Sequence, residues 1–195
     1  MIDLVKEEYI PELVKKMKKN LPWSIWGILD CNDGVKLLDK ALRNKHALAA
    51  VGILDMEIKS GLILFPPGGL NHFFRYPVLM FRLIWRLFIH GKLMETIRVY
   101  LEKRKFQNGY HSEAGLFLEK GSPLLIKGVI QKLIDQLILL GYKPFALVVL
   151  IEGRERLAKL LSLWFYTKKI SLVKIRKKNY YFYIVGHPDG PEHFN

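Results

Sequence analysis

Apolar positions along this chain switch repeatedly between helical and strand spacing, and the switches divide it into short elements. Ile2 to Val5 reads as a first strand, and a basic helix follows from Pro11, a good first-turn residue, to about Asn20. Leu37, Leu38, Ala41 and Leu42 share one face of a second helix that Asn32 or Asp33 caps and that ends before Asn44. Ala47 to Leu54 and Gly61 to Phe65 are strands joined through DMEIKS, which makes a hairpin or meander. Pro66 to Gly69 (PPGG) stops the second of them, because proline cannot donate to a ladder. From Tyr76 to about Phe106 the spacing turns helical, with a break at His90-Gly91 that predicts two helices.

Tyr110 to Leu118 is the next strand. Ser122 as N-cap and Pro123 at the first helical position then open the clearest helix of the chain. Its Ile126, Ile130, Leu133, Ile134 and Leu137 keep helical spacing until Gly141 supplies a left-handed stop. Pro144 to Ile151 is apolar on both faces, as a central strand is, and leads into a helix bearing Leu157, Leu160, Leu161, Trp164 and Phe165 on one side. Ile170 to Ile175 and Tyr180 to Val185 are closing strands around the basic turn RKKN. Elements alternating at this spacing belong to an α/β or α+β domain. Residues 1–186 form that single domain, and 187–195 form a Pro/Gly-rich tail.

Composition narrows the partners. The 195 residues carry 31 Lys and Arg against 18 Asp and Glu, a net charge of +13 that favours anionic ligands and surfaces. Cys31 is the only cysteine, so no disulfide forms within the chain, and a buried thiol is expected there. The N-terminus lacks the apolar stretch of a secretory signal, which points to the cytoplasm. Val78 to Ile89 is the most lipid-like run, but Arg82 and Arg86 interrupt it, and it is too short to span a bilayer. It suits a membrane surface or a long acyl chain. Arg75, Arg82 and Arg86 fall on one helical face and form a candidate anion site, with a solvated face as the alternative.

The order of elements, with SGLILFPPGG (Ser60 to Gly69) ahead of a basic helical pair such as Phe81 to Arg104, resembles the GNAT acyltransferases over nearly the whole chain. The resemblance implies a mixed, mainly antiparallel central sheet with helices on both faces and a helical pair inserted at about 76–106. It also implies acetyl-CoA or another acyl-CoA as co-substrate, no metal, and a small-molecule or peptide amine as acceptor. In that family the strand like Glu113 to Leu118 splays from its neighbour, and the next loop turns backbone N–H groups toward a pyrophosphate. Helix N-termini suit this because they leave orphan donors and a partial positive charge. The acyl-CoA site is therefore expected along Leu116, Leu118, Lys120, Gly121, Ser122, Lys127 and Gly128. The family's Gln/Arg-x-x-Gly-x-Gly/Ala signature is eroded. Aligned from the strand, Pro123 and Ile126 replace its first polar position and its middle Gly; aligned from the helix, Leu125 and Ile130 take the outer positions.

Acyl transfer to an amine needs a base for the amine proton and donors for the developing oxyanion. The resemblance assigns the base to Glu113, with His111 as second candidate two residues away on the same face. Where the family commonly places an acid Tyr, in the helix after the apolar strand, this chain has Leu161, with Tyr166 a turn further on. The rival reading is a non-catalytic protein of the same fold that binds an acidic carrier protein, an anionic surface or nucleic acid through its basic charge. His187, Asp189, Glu192 and His193 match no metal-site spacing.

Overall fold

The structure is a computed structural model that describes residues 1–22, 24–67, 76–106, 109–119 and 123–194. Arg75, Lys120, Gly121, Ser122 and the glycines of the PPGG turn lie outside the described residues. Seven strands form one sheet in the order β1 (Ile2–Leu4), β2 (Leu48–Leu54), β3 (Glu57–Phe65), β4 (His111–Leu118), β5 (Phe145–Ile151), β7 (Lys178–Gly186) and β6 (Tyr166–Ile175). Every neighbouring pair is antiparallel except β4 and β5, which helix α6 (Pro123–Leu139) joins as a parallel crossover.

Strand alternation sends side chains into two layers. Ala49, Val51, Ile63, Phe65 and Phe117 pack under α1 (Ile10–Asn20), α2 (Ile25–Ile28) and α3 (Cys31–Arg43). Leu62, Leu64, Leu116, Ala146 and Val148 meet α6 and α7 (Glu155–Leu161) on the opposite face. Both faces of β3 and β5 are covered, which explains their unbroken apolar runs. The expected helical pair is present as α4 (Pro77–Ile89) and α5 (Leu93–Phe106), separated by a left-handed Gly91. Val99 and Phe106 of α5 join Leu147 and Phe182 in a third apolar cluster.

Several boundaries move. Asp55 and Met56 both adopt positive φ, so a tight two-residue turn replaces most of DMEIKS and β3 begins at Glu57. Asp30, not Asn32 or Asp33, is the N-cap of α3, and Cys31 is exposed rather than buried. Arg82 pairs with Asp33 at 2.9 Å and Arg86 with Asp30, so these two arginines bolt α4 onto the start of α3 instead of forming an anion site. Helix α7 stops at Leu161, because the aromatic and β-branched run from Trp164 to Thr167 favours extended backbone. The tail folds back, with Phe194 edge-on to Phe145. Among the described residues no helix is long and apolar enough to cross a membrane.

Candidate active site

The parallel strands β4 and β5 are in register over only two pairs, His111 with Ala146 and Ser112 with Leu147. Beyond them a gap opens toward the C-terminal ends of both strands. A β-bulge explains the divergence: Ile63 faces Gly115 and Leu64 faces Glu113, which leaves Ala114 as an extra residue on β4. The helical layer holds this bulge in place. Trp26 Nε1 donates to the Ala114 carbonyl at 2.8 Å, and a Cβ on Gly115 would lie 2.8 Å from Met17 Sδ and 3.0 Å from the indole nitrogen. Only glycine allows so close an approach.

Glu113 stands at the apex of the gap. Backbone amides of Val149 on β5 and of Leu116 on β4 act on its carboxylate, from both sides of the place where the ladder between the strands has ended. Lys103 of α5 and Arg154, just after β5, act on its charge. Lys103 Nζ also donates to the Glu113 carbonyl at 2.6 Å, and Arg154 Nη2 donates to the Asn20 carbonyl at 3.1 Å. Burial is the largest influence on Glu113 and raises its pKa; the two cations and the two amides pull the other way without reversing it. Burial likewise lowers the pKa of Lys103 and of Arg154.

His111 is in the paired segment, not in the gap. It is 1% exposed, its ring meets Tyr142 edge-on at 4.9 Å, and its Nδ1 has no partner among the described residues. Burial lowers its pKa from 6.5 to about 4, so it is a sealed neutral imidazole rather than a second base facing an acceptor. Between those two pH values the unfolded chain takes up a proton that the fold refuses. The resulting stability is complete above pH 6.5 and is lost as pH falls toward 4, with a magnitude of about 3 kcal/mol. Urea unfolding of His111→Leu is expected to lack that part of the acid slope, and an unchanged slope would refute the assignment.

Tyr166 requires correction. It opens β6, pairs with Gly186 and lies edge-on to Phe145 at 6.0 Å. Phe145 begins β5, about 13 Å along the strand from Val149, so Tyr166 packs at the end of β5 away from the gap and is not on the helix where an acid Tyr was expected. Leu161, at the position expected to hold an acid Tyr, is fully buried against the α6 layer. Gly128 is also corrected: a Cβ there would meet Ile2 Cγ1 at 2.8 Å, so the missing side chain serves the contact of α6 with β1 and not a phosphate.

Leu116 and Leu118 turn their side chains into the α6 layer and offer only main chain to the gap. Glu119 N–H bonds back to Lys59 on the β3 side, so strand alternation turns the N–H of Leu118 toward the gap. At the first turn of α6, Leu124 is 72% exposed and does not plug the helix end, while Lys127 lies over the Trp164 ring at 5.7 Å. An apolar void of about 20 Å³ beneath α6, lined by Leu64, Leu116, Ile130, Leu137 and Val148 among others, is far smaller than the ~300 Å³ of a ligand pocket. Periodicity gave no sign of Trp26, Lys103 or Arg154, because each reaches the site from an element distant in sequence.

No family model matches the chain, and no curated protein does. Solved structures share its architecture. A ribosomal-protein-alanine N-acetyltransferase from Brucella melitensis aligns over 94% of this chain and 98% of its own, at 10% identity and a TM-score of 0.61. The yncA protein of Salmonella typhimurium, assigned as an acetyltransferase and solved with its cofactor acetyl-CoA, aligns over 95% and 92% at 11% identity and a TM-score of 0.59. A Desulfovibrio desulfuricans protein assigned as an acetyltransferase of the GNAT family aligns over 95% and 99% at 7% identity and a TM-score of 0.55. Likeness at such identities speaks of the fold alone.

Proposed function

We propose, on the premise that the chain has the GNAT fold, that it transfers an acyl group from an acyl-coenzyme A to an amine by direct attack in a ternary complex. The observation that carries this reading is the gap between β4 and β5 with a raised-pKa carboxyl at its apex. The acyl thioester supplies an activated carbonyl. Glu113 takes the proton that the attacking amine must lose as its C–N bond forms, and that proton balances the thiolate released when the C–S bond breaks. A base with a pKa moved toward neutrality suits this task better than an ordinary carboxylate. In this reading the Leu118 N–H meets the polar arm of the donor and Lys127, on the first turns of α6, its phosphates.

The second reading, a non-catalytic member of the fold that binds an acidic partner, is favoured by the packing role of Gly128 and by the buried Leu161. Calorimetry separates the two. Saturable binding of acetyl-CoA or a longer acyl-CoA below about 1 mM is expected for the transferase. Absence of heat with every donor, alongside salt-dependent retention on a polyanion, selects the binding protein.

A further inference from the structure

The inserted helices leave an apolar face that the fold does not cover. Val78, Phe81, Ile84, Trp85, Phe88 and Ile89 of α4 fall within one contiguous arc of the helix and all point outward, with Phe81 70%, Trp85 56% and Phe88 64% exposed. Met94, Ile97 and Leu101 extend the surface along α5. Monomeric proteins seldom leave an apolar patch of this kind in water without a use for it. The charges around it are sorted. Residues 77–106 contain seven Lys and Arg against two acids, Glu95 and Glu102. Glu95 is buried and accepts from the Tyr180 hydroxyl, while Glu102 accepts from Ser171 Oγ at 2.7 Å and pairs with Lys105. Arg82 and Arg86 are taken up by Asp33 and Asp30, and Lys105 by Glu102, while Arg98 and Arg104 remain exposed on α5. Both acids are thus turned inward or neutralised, and the outer face offers apolar side chains and positive charge.

From this arrangement we infer that the α4–α5 pair docks the protein on an anionic lipid surface. The aliphatic and aromatic side chains enter the boundary between headgroups and acyl chains, with Trp85 suited by its amphipathic ring, and the arginines meet lipid phosphates. Charge decides against the other occupants. A second copy would bring two positive faces together, and a nucleic acid would satisfy the arginines while leaving six exposed apolar side chains of α4 without a partner. The inference stands independently of the acyl-transfer reading.

Cosedimentation of the full chain with phosphatidylcholine vesicles, with and without phosphatidylglycerol, tests it. Binding is expected only where phosphatidylglycerol is present. Arg98→Gln and Arg104→Gln each weaken it by about fivefold. Trp85→Ser with Phe88→Ser abolishes it while leaving thermal unfolding unchanged, since both side chains are exposed. Failure to sediment with the anionic vesicles overturns the inference, as does binding that survives the double variant. A concentration-dependent dimer that the double variant disperses, without vesicle binding, overturns it in favour of a second copy.

Discussion

Glu113→Gln is expected to lower acyl transfer by about 10²–10⁴-fold and, at the same time, to make the protein more stable at neutral pH. The two effects have one cause. Burial raises the folded-state pKa of this carboxyl above its unfolded value, so between the two values the folded chain holds a proton that the unfolded chain has released. Stability therefore declines as pH rises through that window, and a neutral amide of the same shape removes the decline. For activity the sign is opposite. The base form exists only above the raised pKa, so kcat/KM climbs with pH across it, and the Gln variant loses that limb. Thermal unfolding and pH–rate profiles measured on both proteins check the pair of effects. A variant that is less stable at neutral pH yet fully active would identify Glu113 as a structural clamp and remove its role as base.

The largest loss of stability is expected at Trp26. Truncation to Ala empties a site that is 1% exposed and strips the Ala114 carbonyl of its donor, which together cost about 3–5 kcal/mol in urea unfolding. Trp26→Phe keeps most of the volume and loses the hydrogen bond, at about 1–3 kcal/mol. Because that bond pins the bulge that separates β4 from β5, the Phe variant is also expected to bind acyl-coenzyme A more weakly at temperatures where it remains folded. Equal affinity would show that the gap persists without the indole.

Most elements were legible in the sequence because their signals are local. Pro123 and Gly141 bracket α6, His90-Gly91 divides α4 from α5, and the two-faced apolar run of β5 marks a central strand. Signals that depend on tertiary context were not. Asp55-Met56 is an unusual pair for a left-handed turn, and the two-residue hairpin was hidden for that reason. Extending the last helix to Trp164 and Phe165 followed hydrophobic spacing, yet the chain turns there to enter β6, and Tyr166 went with it. The site was half readable. Glu113 lies on the expected strand, but the bulge that isolates it, its two cationic neighbours and the packing duty of Gly128 come from contacts that no local pattern encodes.

The outer position of β6 has its own consequence. For ten residues this strand forms one margin of the sheet, where free main-chain groups would template growth into a fibril, whereas β1 at the other margin is three residues long and offers little purchase. Lys168, Lys169 and Lys174 stand exposed along that margin, so two molecules approaching edge to edge bring like charges into opposition before a ladder can form. Part of the chain's positive charge thus guards against self-assembly.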